Sequence, residues 1–291
     1  IEKLIYDKKK LLSVQKKNYS NFIYTHKYIS NLIDTIRKNL IGSNQIIKFN
    51  VTKNTILKLI HVTNFNERFN GRLHYNTGRR LNNGFIRLGH NIMTVSDRDI
   101  IHNNKNLMDL NGKKKLQKHL LDSLKNFKAD GIILGHADSV TNETLSEIKD
   151  KYKNLKIAQW FLDPIGKAGP DYIKNTSRIF DKEKFVNTSF LTTDPSVLAK
   201  ELNNSFYIPN PSDVSFEVLK SYENKNEYDL FFAMSHGVHR GQLKSGKSDD
   251  RETFINKLIK KNKNIIFDIY GMNKTQPVWG DNFLNKISKS S

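Results

Sequence analysis

The sequence predicts an α/β protein made of two doubly wound, parallel-sheet domains, the second one incomplete, behind a helical N-terminal arm. Three observations carry that expectation. Short, near-continuous apolar runs rich in β-branched residues recur between helical patterns, as parallel strands buried on both faces require. A turn-rich breaker, Pro209-Asn210-Pro211-Ser212-Asp213, interrupts the alternation. The alternation then restarts near Asp229. At roughly 100–200 residues per domain, 291 residues divide into two units.

Residues 1–55 read as a basic helical arm and connector. Leu4, Ile5, Leu11, Leu12, Phe22, Ile29, Ile33, Ile36 and Leu40 fall at helical spacing between Lys runs, and Gly42 is a natural stop. Such an arm serves either as a packing linker or as a membrane-surface or partner-binding helix. The first domain spans 56–213. It opens with the strand Ile56–Val62, a polar loop from Thr63 to Asn76, a helix Thr77–Leu88 closed by Gly89, and the strand Ile92–Ser96. A helix Lys113–Phe127, a strand Gly131–Gly135, a helix Asn142–Tyr152 and a strand Lys156–Leu162 follow. The strand Val186–Thr192, a short helix Pro195–Leu202 and the strand Phe206–Pro209 complete it. The second domain, 214–291, begins with the strand Asp229–Met234, a Gly-rich loop Ser235–Asp249, a helix Asp250–Asn262 and the strand Ile265–Tyr270. It is shorter than the roughly 100 residues a complete doubly wound domain takes. Residue 1 is Ile rather than Met, which with the short second domain marks the sequence as a fragment of a longer polypeptide.

Composition narrows the chemistry. With no cysteine, disulfides, thiolate metal sites and thiol nucleophiles are excluded. No run of about 18 apolar residues offers a membrane-spanning helix, and Lys interrupts the N-terminus too often for a signal peptide, so a cytoplasmic location is expected. The formal net charge is +19, from 48 Lys+Arg against 29 Asp+Glu. That excess rests on Lys, which is inflated together with Asn and Ile, the residues of A/T-rich codons; no specific nucleic acid is therefore expected. Arg is the scarcer cation, and Arg68, Arg72, Arg79, Arg80 and Arg87 crowd one stretch.

In open α/β sheets ligands bind beyond the carboxyl ends of the strands, which singles out four segments. In the loop Asn64–Tyr75, Arg68, Arg72 and Arg79 can clamp an anionic or hydroxyl-rich ligand beside the stacking faces of Phe69 and Tyr75; the alternative is a solvated loop. Gly135-His136-Ala137-Asp138 places a histidine and a carboxylate at a strand end, suited to general-base work or to a hydrogen-bonded turn. Asp163, ahead of Pro164, either binds substrate hydroxyls or caps the next segment. Ser235–Glu252 combines glycines, Arg240 and Lys247 before a helix N-terminus, which suits a diphosphate; the alternative is a mobile solvent loop. Gly241-x-x-x-x-Gly246-Lys247-Ser248 fits the P-loop formula, yet it starts well after the strand ends at Met234, whereas a P-loop starts at the strand end. His236 and His239 have no carboxylate arranged with them, and no metal is expected.

The two α/β units joined by Phe206-Tyr207-Ile208-Pro209-Asn210-Pro211-Ser212-Asp213 resemble the GT-B glycosyltransferases, and more narrowly the spore-maturation-type, group-one-like family. Asp229-Leu230-Phe231-Phe232 before a Gly/Arg loop, and Asn70-Gly71-Arg72 before a helix ending Leu88-Gly89-His90, carry the same likeness. The resemblance covers about residues 56–291. It implies two Rossmann-like domains and metal-independent transfer of a sugar from a nucleotide-diphospho-sugar to a glycan, lipid or protein hydroxyl. No cofactor is implied beyond that co-substrate. Gly237, Arg240 and Gly241, with Lys244 and Lys247, would hold the donor diphosphate; His136 or Asp138 would be the base; Arg68, Asn70, Gly71, Arg72 and Asp163 would line the acceptor side. The competing reading is a nucleic-acid-binding or P-loop nucleotide-binding protein.

Overall fold

The computed structural model describes residues 55–290 apart from 108, 170, 220–222, 224, 236, 237, 240, 241 and 244–249, together with four positions among the first sixteen. Apart from those four positions and Thr55, the expected N-terminal arm and connector lie outside the described residues. So do all five donor-side candidates, Gly237, Arg240, Gly241, Lys244 and Lys247.

One compact unit runs from Thr55 to Val218. Its strands are β1 (Lys58–Thr63), β2 (Asn91–Ser96), β3 (Gly131–Gly135), β4 (Lys156–Phe161), β5 (Thr188–Leu191) and β6 (Ser205–Tyr207). Its helices are α1 (Thr77–Arg87), α2 (Asp97–Asn103), α3 (Lys113–Phe127), α4 (Asn142–Lys151) and α5 (Tyr172–Lys182). All six strands are parallel, in the order β2-β1-β3-β4-β5-β6. This is a doubly wound, Rossmann-like sheet, and the chain reverses its direction of travel between β1 and β3.

Alternation along β1 shows why the sheet is covered twice. Ile60 and Val62 join Leu116, Leu120 and Leu124 of α3 and Leu145 and Ile148 of α4 in the main core. His61, between them, projects to the other face and meets Phe85 of α1 edge-on at 5.6 Å. The ring is fully buried, and both nitrogens have partners: Trp160 Nε1 donates to Nε2 at 3.2 Å, and Asn82 Oδ1 lies 3.4 Å from Nδ1. Burial lowers its pKa to about 4, so His61 is a neutral core residue that ties β1 to β4 and α1.

Two helices extend the pattern read from the sequence. Helix α2 has only seven residues, too few to show a period. Helix α5 contains Asn175-Thr176-Ser177, poor helix formers, and Thr176 Oγ1 turns back to the Tyr172 carbonyl at 2.8 Å. Conversely, the helix expected over Pro195–Leu202 is a single 3-10 turn, Pro195–Val197. Leu198 is already extended there, and it and Leu202 pack with Phe161, Ile165, Ile179 and Leu191. Burial of the two leucines overrides helix propensity.

The segment after the Pro-rich breaker is fastened to this unit. The Asp213 side chain is fully buried and accepts two hydrogen bonds from Arg87, at 2.7 and 3.0 Å, which hold it well below the usual carboxylate range. Arg80 pairs with Glu217 at 2.6 Å. The unit therefore extends to Val218 rather than ending at Asp213.

The second unit, considered by itself, contains β7 (Leu230–Ala233), a two-stranded antiparallel piece formed by β8 (Val238–His239) and β9 (Gln242–Leu243), α6 (Asp250–Lys261), β10 (Phe267–Tyr270) and α7 (Gly280–Ile287). Strands β7 and β10 pair in parallel, so they form a β-α-β unit across α6. Met234, Ile255 and Met272 make its core, and Gly271 is required where φ is +78° and a Cβ would lie 1.8 Å from the Met234 carbonyl oxygen.

Gly135, at the end of β3, is fixed by a neighbour. A Cβ there would lie 2.1 Å from Cζ2 of Trp160, on the adjacent strand and paired with it in register. Gly135→Ala should lower stability by about 1–3 kcal/mol in urea denaturation, and shrinking Trp160 in the same chain should recover part of the loss. An unchanged midpoint would contradict the close approach.

Candidate functional site

The strand order reverses between β1 and β3, and in open α/β sheets such a reversal sends the loops leaving the carboxyl ends of neighbouring strands to opposite sides. The loop after β1 closes on itself. Asp99, at the start of α2, accepts from the backbone N–H groups of Glu67 (2.8 Å) and Arg68 (3.3 Å), from Arg68 Nη1 (2.5 Å) and from the Ser96 hydroxyl. Burial opposes ionisation of Asp99, but these bonds outweigh it and hold its pKa below the usual value. Asn64 Oδ1 takes a further bond from Arg68 Nη1 at 3.0 Å. The Arg68 guanidinium is thus committed to holding the loop rather than offered to a ligand. It stacks over Phe69, as does Arg72. Asn70 and Gly71 sit at the exposed tip in the left-handed region, with φ of 51° and 84°, and a Cβ on Gly71 would meet nothing within 4 Å. Behind them Asn76 caps α1 by accepting from the Arg79 N–H at 3.1 Å.

His136, Asp138 and Asp163 come together around a residue the sequence did not single out, Arg178 of α5. Its Nη2 is 2.5 Å from Asp138 Oδ2 and 3.4 Å from His136 Nδ1, and its Nη1 is 3.3 Å from Asp163 Oδ2. The guanidinium lies over Phe161 at 5.0 Å, and the His136 ring stacks flat on the same phenyl at 4.1 Å. No helix was read between β4 and β5, so nothing in the sequence reading placed Arg178 opposite the ends of β3 and β4.

The three expected residues differ in what they have left to offer. His136 Nε2 accepts from the Leu162 backbone N–H at 2.8 Å, so the neutral ring carries its proton on Nδ1, which lies 3.6 Å from Asp163 Oδ2. Burial pushes its pKa down to about 4, against the pull of the Asp163 carboxylate. Its backbone is in the left-handed region at φ 49°, uncommon for a residue with a side chain. His136 therefore ties the end of β3 to the end of β4. The side chains of Asp138 and Asp163 are 42% and 45% exposed and keep open carboxylate faces. They can accept hydroxyl hydrogen bonds, and either is a possible proton acceptor.

Asp97, at the start of α2, is the other notable carboxylate. It is fully buried, and neither oxygen completes a hydrogen bond. Burial pushes its pKa up to about 6, against the opposing effect of the Arg98 backbone N–H and guanidinium. Among the described residues, no group of three or more His, Asp or Glu side chains is arranged to hold a metal ion.

No family model matches the chain, and no curated protein sequence does. Among solved structures it is similar to an α-glucosyltransferase in complex with UDP and a 13-mer DNA containing a central A:G mismatch, with a TM-score of 0.46 and 12% identity over 81% of this chain and 70% of that one. It is also similar to SsfS6, a Streptomyces sp. SF2575 glycosyltransferase, with a TM-score of 0.34 and 9% identity over 74% and 67% of the two chains. The fold assignment here stands on the strand order and register themselves.

The raised pKa of Asp97 sets a pH dependence opposite to that of a salt-bridged acid. Folding favours the protonated carboxyl, so its stability contribution is full below the unfolded value of 3.8 and is lost as pH rises through about 6. Asp97→Asn should match the wild-type denaturation midpoint near pH 4 and exceed it at pH 8 by up to roughly 3 kcal/mol. A variant less stable than wild type at pH 8 would show that the carboxylate is satisfied.

Proposed function

We propose that the chain is the acceptor domain and the start of the donor domain of a glycosyltransferase, which moves a sugar from a nucleotide-diphospho-sugar to an acceptor hydroxyl without a metal ion. The observation that carries this reading is the pair of half-exposed carboxylates at the carboxyl rim of the parallel sheet. There Asp138 and Asp163 stand open at the rim, positioned by Arg178, in a sheet followed by a second β-α-β unit. The sequence likeness to the spore-maturation-type family agrees with it.

In this reading Asp138 accepts the proton of the acceptor hydroxyl as that oxygen attacks the anomeric carbon, and Asp163 binds a neighbouring hydroxyl. Arg178 orients both carboxylates through its two terminal nitrogens. His136 holds the ends of β3 and β4 in register through Leu162. Asn70, Gly71 and Arg72, at the open loop tip, line the acceptor side, where the missing Cβ of Gly71 leaves room for a bulky group. Arg240 and the backbone of Gly237–Gly241, with Lys244 and Lys247, stabilise the leaving diphosphate, which substitutes for a metal ion.

Calorimetric titration with UDP and GDP, with and without magnesium, tests the donor half. Binding is expected without metal and should vanish in Arg240→Ala, whereas binding that requires magnesium would overturn the metal-free reading. Asp138→Asn should leave nucleotide affinity unchanged while lowering turnover by about 10²–10⁴-fold. Retained turnover would remove Asp138 from the base role.

A further inference from the structure

The connection between α2 and α3 turns two leucines outward. Asn106 and Asp109 form a tight antiparallel bridge, each N–H bonded to the other's carbonyl at 3.2 Å. Leu107 and Leu110 at this turn are 95% and 77% exposed. The base beneath them is tightly held. Gly112, at φ 69°, presses against Ile101, where a Cβ would lie 2.2 Å from the carbonyl oxygen. Asp109 Oδ2 accepts from the Lys115 N–H at 3.2 Å and Asn111 Oδ1 from the Lys113 N–H at 2.9 Å. The leucines are therefore displayed on a braced turn.

Lys105 in the same connection, and Lys113, Lys114, Lys115 and Lys118 on the first turns of α3, are all exposed, and none is in an ion pair among the described residues. Three of the five occupy the first turn of α3, which has no acidic residue and where the helix macrodipole disfavours positive charge. The acid nearest the tip, Asp109, spends its carboxylate on the helix backbone. Because α3 leads from the carboxyl end of β2 back to the start of β3, this surface lies at the same rim as the candidate site.

We infer that the turn 104–112 and the first turns of α3 dock on an anionic lipid bilayer. Leu107 and Leu110 enter the acyl boundary, and the lysines meet the headgroup phosphates. The combination selects the partner. Leucines at a protruding tip add nothing to phosphate recognition by nucleic acid, and a protein groove that accepts leucines has no need of five unpaired lysines. The inference stands independently of sugar transfer.

The test is co-sedimentation of the full chain with phosphatidylcholine vesicles, with or without phosphatidylserine. Binding is expected only with the anionic lipid. Leu107→Ser/Leu110→Ser keeps every charge and, being confined to exposed positions, should leave the thermal midpoint unchanged while weakening binding at least about tenfold. Lys113→Ala/Lys114→Ala/Lys115→Ala should weaken it and flatten its salt dependence. Because the chain has no cysteine, a polarity-sensitive dye can be placed at Leu110→Cys, with Asp150→Cys on α4 as control. Only the dye at 110 should shift to the blue on vesicles. A dye at 110 that stays in water while the chain is bound, or a leucine variant that binds like wild type, would overturn the proposal. So would duplex DNA binding that depends on the three lysines while vesicles are not bound.

Discussion

Two carboxylates from different strand ends share one guanidinium. Asp138 follows β3 and Asp163 follows β4, and Arg178 reaches both from α5. Parallel strands deliver their following loops to a single edge, so charged groups separated in sequence converge there, and a shared guanidinium bridges them. The shared base is apolar. Phe161 carries Arg178 on its ring and stacks His136 flat, while Gly135 yields its side-chain volume to Trp160. Loss of the guanidinium would leave two neighbouring carboxylates without their common partner, so the geometry of the rim depends on α5 being present and in register.

The alternation of strand and helix was legible in the sequence because each parallel strand is a short apolar run. Ile60 and Val62, or Ile132 and Leu134, read as buried without any tertiary knowledge. Helix α5 was not legible, because tertiary burial of Asn175, Thr176 and Ile179 stabilises residues that local propensity disfavours. With α5 unseen, the sequence could nominate His136, Asp138 and Asp163 separately but could not show that they meet. Neither could it show that His136 is spent on the Leu162 N–H, since that bond joins two loops.

Arginine density misled for a related reason. Scarce arginines crowded between 68 and 87 suggest a ligand clamp, yet the partners of three of them lie far along the chain. Arg68 meets Asp99, Arg80 meets Glu217 and Arg87 meets Asp213. A guanidinium that donates to both oxygens of a buried carboxylate fixes distance and orientation together, which a lysine does poorly. In a lysine-rich chain, arginine at these positions marks where the polypeptide is fastened to itself. The Arg87–Asp213 pair fastens the Pro-rich breaker against α1, which is why the unit continues past it.

Local rules are broken mainly where the strands end. Core positions of β1, β3 and β4 are regular, apolar and paired in register. At the carboxyl rim, by contrast, His136 adopts a left-handed backbone, Asp97 is buried with no partner for either oxygen, and Arg178 Nε is buried and unpaired. Each is destabilising alone, by roughly 1–3 kcal/mol for a strained backbone or an unpaired buried polar group. Similar features occur elsewhere, as at Lys128 and Asn204 in the left-handed region and at the buried Asp268 Oδ2, but here three of them meet at one edge. They fall at the rim where Asp138 and Asp163 stand half-exposed around Arg178.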